Sequence, residues 1–282
     1  MLEPLESGLK PAFADVTPGS NDVRPDLYLH SYLCQSVRKR TYFDAMGGLL
    51  AAEHAWTVVV ITGATAPLVA AARLRPGAWT LIAGRALALL LAGAEVGWWI
   101  YLVATHANRA KLLYALPFQL CDAAIFVSAV ALWTRRQILV EVTYFWGLAG
   151  TIQAIITPDL PHHFPSFPFI QYYVAHGGVV AAALFLVIGL GQWPRRRAVV
   201  WVTALTIVYA GFVGLLDVAT GANYMYLRAK PASATLLDVL GPWPWYIGWA
   251  ALIGIAFFLI LAAPFATSRK GSADRITGRV PR

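Results

Sequence analysis

A thiol and an imidazole are the side chains in this sequence best suited to covalent chemistry. Cys121 lies in the run Leu116-Pro117-Phe118-Gln119-Leu120-Cys121-Asp122, early in one long apolar segment, and His176 lies at a similar depth in another. The pair has the residue types of a nucleophile and its base. A thiol in apolar surroundings is unreactive unless something favours the thiolate, and a neighbouring imidazole does so. Pro117 suits the first turn of a helix. A helix beginning there puts Cys121 near its positive dipole end, which also favours the thiolate. Tyr172 precedes His176 by four residues and shares its helical face, so its hydroxyl can serve a developing oxyanion or orient the ring. Asp122 stands about 100° round the helix from Cys121, which leaves Asp217 and Glu53 equally eligible as the acid that orients His176.

The elements that position these residues are membrane helices. Of 282 residues, 59% are hydrophobic and only 13% charged, with a mean hydropathy of +0.61. Most lie in apolar runs of roughly twenty, the length that crosses a bilayer's hydrocarbon core. Such runs must be helical in lipid, being too long and uniformly apolar for barrel strands. The expected fold is an all-α integral membrane protein, a seven-transmembrane-helix bundle with short loops. Its spans fall near residues 49–72, 79–104, 112–133, 138–157, 169–193, 198–220 and 240–265. Residues 1–45 are a polar leader, read as disordered or as an over-extended start. They contain no apolar core of a signal peptide. Residues 46–266 form the membrane domain, and 267–282 a basic tail, also read as disordered.

The formal net charge of +8 is a topology signal, because the basic residues cluster in short loops. Arg73 and Arg75 follow the first span, Arg135 and Arg136 the third, and Arg195 to Arg197 the fifth; Arg269 and Lys270 follow the seventh. This distribution places the N-terminus outside and the C-terminus in the cytoplasm of a multi-pass cell-membrane protein. The cluster Arg38 to Arg40 in the leader argues the other way. Two cysteines, Cys34 in the leader and Cys121 in a span, make no disulfide framework. Nothing in the chain supports nucleic-acid binding, a cofactor or a soluble partner, and the oligomeric state is left open.

The intramembrane polar residues gather in one leaflet. Glu53 and His54 on the first span, Glu95 on the second, and Gln119, Cys121 and Asp122 on the third all fall on the same side. Gln153 on the fourth, Tyr172 and His176 on the fifth, and Asp217 on the sixth join them. Each costs free energy in hydrocarbon, about 2.5–3.5 kcal/mol for a central Asp. Together they imply one buried polar pocket open to the non-cytoplasmic face. Singly, His54 or Gln153 reads as interhelical glue, and a lone cysteine as a small apolar filler. The loop at 157–168 carries four prolines, which forbid helix, and with Asp159 it lies over the pocket mouth. His162 and His163 within it complete no metal-ligand spacing, so no metal site is assigned.

At these residues the chain resembles the YwaF-like bacterial integral membrane proteins, which are similar to animal transmembrane protein 164. The likeness rests on Leu116-Pro117 with Leu120-Cys121-Asp122, on Tyr144-Phe145-Trp146-Gly147-Leu148-Ala149-Gly150-Thr151, and on Thr157-Pro158-Asp159. Tyr172 with His176 and the segment Trp243-Pro244-Trp245-Tyr246 complete it. The resemblance implies a seven-helix fold and, from the animal relative, transfer of a fatty acyl chain between phospholipids through a cysteine and a histidine. Those roles fall here on Cys121 and His176, with membrane lipids as substrates.

Three readings follow. The first is a lipid acyltransferase or esterase built on Cys121 and His176. The second is an ion-coupled transporter or channel using Glu53, Glu95, Asp122 and Asp217 as a relay. It has against it the absence of a repeat and an inner leaflet without polar residues. The third is a non-enzymatic membrane component whose polar groups hold helices together.

Overall fold

An apolar run closes its backbone hydrogen bonds within itself when no water is at hand, and the chain is accordingly helical. The computed structural model describes residues 52–277, apart from 157, 159, 161 and 232–235; the side chains of 52, 110, 236 and 266–277 are not described. Among these residues there is no strand, and six helices are long and apolar enough to cross a membrane. Helix α1 is Ala52–Leu74, α2 is Trp79–Ala104, α3 is Arg109–Tyr114 and α4 is Leu120–Thr134. Helix α5 covers Gln137–Ile156 with a π-helical turn over Gly147–Thr151. Helix α6 covers Phe167–Gly189 and is π-helical in its last five residues. Helix α7 is Ala198–Thr220 and α8 is Trp245–Thr277, which runs past the expected domain boundary at 266. The leader at 1–45 lies outside the described residues.

The expected count of seven full-length spans is not confirmed, and the difference lies at the third. In place of one helix over 112–133 there is the short α3, a break at 115–119, and α4. Fifteen residues reach only about 22 Å at 1.5 Å each, short of the roughly 30 Å core. The break has a physical cause in tyrosines distant along the chain. The Leu113 carbonyl accepts from the Tyr224 hydroxyl, and the Phe118 carbonyl accepts from the Tyr209 hydroxyl at 3.1 Å. Backbone groups that α-helical bonding would have used are thereby satisfied sideways. Helix α4 starts at Leu120, so Pro117 lies in the break and not in the helix's first turn.

Helix α6 is the hub, packed against α1, α2, α4 and α5. Glycines let it approach. A Cβ added at Gly177 would stand 2.8 Å from the Ile61 Cδ1 on α1, and one at Gly178 would stand 2.7 Å from the Leu91 Cδ2 on α2. On α5, a Cβ at Gly147 would lie 2.9 Å from the Val179 Cγ1. Helices α7 and α8 pack on the α5 side of this core.

The arginine-rich end of the bundle holds a polar network that a purely apolar inner half does not anticipate. Glu141 on α5 is fully buried. Its Oε1 accepts from the Arg195 backbone N–H and Nε, and its Oε2 from Arg195 Nη2, each at 2.8 Å. This fork and the neighbouring carboxylate hold the Arg195 guanidinium above its ordinary pKa. Gln137 donates to the Trp193 carbonyl, and Gln192 to the Arg135 carbonyl, each at 3.0 Å. The two loops at this end are thus stapled together. Arg85, also within a span, lies over the Trp133 ring at 5.2 Å.

Candidate functional site

Cys121 occupies the first turn of α4, two residues after Gln119, whose backbone is extended. The thiol is half-buried and reduced. It lies near the Thr151 hydroxyl, which ends the π-turn of α5, is buried, and makes no hydrogen bond of its own among the described residues. Such turns widen a helix locally and recur at functional sites. Here the turn brings a hydroxyl to the thiol while Gly150 keeps the surface beside Leu120 open.

His176 sits on α6, which packs directly against α4. Its Nδ1 is 2.8 Å from the Tyr172 carbonyl oxygen. A carbonyl only accepts, so Nδ1 carries the proton and the neutral ring's lone pair is on Nε2. Among the described residues Nε2 makes no hydrogen bond. The ring stacks on Tyr172, centroids 4.1 Å apart and planes 29° apart. The Tyr172 hydroxyl donates to the Ala154 carbonyl at 2.8 Å. That carbonyl belongs to the last turn of α5, where backbone acceptors lack helical partners. Tyr172 therefore closes a helix end, and its proton is already committed. Cys121 and His176 make no hydrogen bond to each other. Thr151, beside Cys121, and Ala154, the acceptor for Tyr172, stand about one turn apart on α5.

A family model described as the TMEM164 family matches residues 49–262. The chain belongs to the TMEM164 family. An uncharacterized protein of Treponema pallidum (strain Nichols) is 26% identical over 156 residues, 55% of this chain. That match spans 64% of the relative's own length. No solved structure gives a significant match.

In this TMEM164-family chain the other sequence-derived site residues sort into separate hydrogen-bond networks. Glu95 is buried on α2, accepts from Gln171 on α6 at 3.4 Å, and acts electrostatically on Asp122. Asp122 follows Cys121 in the chain and acts electrostatically on it and on Tyr209. These groups form the polar neighbourhood of the thiol. His54 is hydrogen-bonded to the Tyr173 hydroxyl at 2.9 Å. Glu53, exposed at the start of α1, accepts from the Phe164 N–H at 3.3 Å and approaches His163 Nδ1 at 3.4 Å. It tethers the proline-rich loop. Gln153 is exposed. Asp159 lies outside the described residues.

Asp217 and Gln119 belong to a third network, at the end of α7. Asp217 is buried, and its Oδ1 accepts from the Tyr224 N–H at 2.8 Å. The Gln119 Oε1 accepts from the Met225 N–H, also at 2.8 Å. The segment 221–228 is thereby latched over the break that precedes α4. Burial and the Asp217 and Asp122 carboxylates push the Tyr224 phenol above its ordinary pKa, which keeps it a donor. Reading the sequence for isolated polar residues did not single out Thr151, Gln171 or Tyr209. Thr151 had one signal, its place at the end of the motif Tyr144 to Thr151, after Gly147 and Gly150.

Proposed function

We propose that the protein transfers or hydrolyses fatty acyl chains of membrane lipids, with Cys121 as nucleophile and His176 as base and then acid. The observation that carries this reading is the hydrogen bond from His176 Nδ1 to the Tyr172 carbonyl. It fixes the tautomer whose free nitrogen accepts a proton, on the helix next to the one that holds the thiol. In the reaction His176 Nε2 takes the thiol proton as Sγ bonds to the acyl carbonyl carbon. The tetrahedral adduct collapses, the ester C–O bond breaks, and the imidazolium returns the proton to the departing lysolipid alcohol. An acceptor hydroxyl, or water, then attacks the thioester, gives its proton to Nε2, and releases Cys121 as thiol. Asp122 acts electrostatically on the thiol, and Glu95 on Asp122. The same reading places the chain among the YwaF-like members of its family, in the cell membrane, with its arginine-rich end in the cytoplasm.

The test is acyl transfer to a fluorescent lysophospholipid in phosphatidylcholine proteoliposomes, with intact-mass detection of an acyl adduct. Cys121→Ala abolishes the adduct and lowers turnover by about 100-fold or more. Undiminished turnover in Cys121→Ala overturns the reading. A second reading, ion coupling, is favoured by the electrostatic action of Glu95 on Asp122. It requires pH-dependent flux that survives Cys121→Ala and is lost in Glu95→Gln.

A further inference from the structure

Helices α1 and α6 touch twice and part between. One contact is Ile61 against Gly177, and the other is Ala72 against Gly189, where an added Cβ would stand 3.1 Å from the Ala72 Cβ. Between them runs a groove of about 570 Å³, lined by Thr65, Ala66 and Val69 of α1 and by Val180 and Leu184 of α6. That volume suits a small-molecule ligand. From Ile61 to Arg73 the groove extends roughly 18 Å at 1.5 Å per residue, close to the depth of one leaflet, about 15 Å. Its walls are methyl and methylene groups almost throughout, which gives a water-soluble molecule nothing to bond along its length.

The lining ends in a charge. Arg73 closes the groove, with its guanidinium over the Trp193 ring at 6.0 Å. Gly191 makes room for it: a Cβ there would stand 3.2 Å from Arg73 Nη1, and the backbone has φ +70°. Among the described residues no carboxylate pairs with Arg73, whereas Arg195, in the segment that carries Gly191 and Trp193, is engaged by Glu141. A planar donor fork left free at the end of an apolar groove complements a phosphate that carries hydrocarbon. Basic pockets between membrane helices are electrostatically suited to anionic headgroups.

We propose that this groove holds one anionic phospholipid, an acyl chain between α1 and α6 and the headgroup phosphate on Arg73. The site opens at the opposite end of the bundle from Cys121 and does not depend on the acyl-transfer reading.

The full chain in mild detergent, titrated with phosphatidylglycerol and phosphatidylcholine of identical acyl chains and followed by native mass spectrometry, tests this. One phosphatidylglycerol is retained where phosphatidylcholine is not, and excess glycerol 3-phosphate fails to displace it. Arg73→Gln weakens retention about fivefold, the worth of one basic group near an anionic lipid. Ala66→Phe fills the groove from an exposed position and leaves the Arg73–Trp193 contact intact, so it carries the test even if Arg73→Gln fails to fold. Retention of phosphatidylglycerol by Ala66→Phe at the wild-type level overturns the proposal. So does equal retention of both lipids, and so does displacement by glycerol 3-phosphate, which marks a site for free phosphate.

Discussion

Arg195 grips Glu141 with both arms of its guanidinium, Nε to Oε1 and Nη2 to Oε2 at 2.8 Å each, yet only one partner is buried. The Arg195 side chain is 54% exposed and that of Glu141 0%. This asymmetry sets the outcome of mutation. Arg195→Ala strands a carboxylate in the core and costs about 3 kcal/mol or more. Glu141→Gln leaves the guanidinium access to water and costs less. The double variant Glu141→Leu with Arg195→Ala recovers part of the loss, since no charge is then buried unpaired. Unfolding midpoints in detergent for the three variants check the order, and a double variant no better than Arg195→Ala alone would contradict it.

Glycine substitutions separate close packing from mere helix content. Gly177→Ala drives a methyl into Ile61, whose Cδ1, Cγ1 and Cγ2 all lie within 3.2 Å of the new Cβ. A β-branched side chain is stiff, so α1 and α6 must part, at a cost of about 1–3 kcal/mol. Gly211 on α7 has nothing within 4 Å of an added Cβ. Gly211→Ala is therefore neutral, or stabilises by up to about 1 kcal/mol through helix propensity. Parallel thermal unfolding of the two variants gives shifts of opposite sign, or a shift for Gly177→Ala alone.

Tyr172→Phe removes the hydroxyl that closes the end of α5 at Ala154, and a loss of about 1 kcal/mol in stability follows. Under the acyl-transfer reading it also loosens the ring on which His176 stacks. Turnover then falls while lysolipid KM stays near its original value. A change in KM alone would assign Tyr172 to lipid binding and not to positioning His176.

What the sequence made legible, and what it hid, divides by the range of the interactions. Helix α2 was placed at 79–104 because its boundaries are local: Pro76-Gly77 precede it and a continuous apolar run fills it. The third span is shorter than expected because its break depends on Tyr209 and Tyr224, roughly a hundred residues away, whose hydroxyls take up carbonyls of the 113–118 segment. Composition alone reads that stretch as one more span. The approach of α4 to α6 was not legible, because matching depth places Cys121 and His176 in one leaflet without saying which helices are neighbours. Nor was the tautomer of His176, because it depends on which way the ring turns within its own helix. Asp217 was expected as a possible partner of the imidazole. A carboxylate at the end of an apolar helix looks the same in sequence whether it faces a pocket or caps a loop, and here it caps a loop. Glu141 escaped notice because its partner is 54 positions away.

The latch over the start of α4 gives the last prediction. Asp217 accepts from the Tyr224 N–H and Gln119 from the Met225 N–H. Met225 and Tyr226 both have positive φ, near +53° and +55°, a conformation that costs residues with a Cβ about 1–2 kcal/mol each. Such a segment stays in place only while its hydrogen bonds hold it. Asp217→Ala removes one of them and leaves a buried N–H without its acceptor, so the segment opens more often. Hydrogen exchange of the peptide spanning residues 221–228 then rises by about tenfold, the consequence of losing roughly 1.4 kcal/mol of local stability. Exchange in α5 and in the middle of α6 stays as it was. Asp217→Asn keeps an acceptor oxygen at the same place and exchanges much more slowly than Asp217→Ala. Exchange that rises equally across the whole bundle in Asp217→Ala would show that Asp217 supports the fold at large and not this latch.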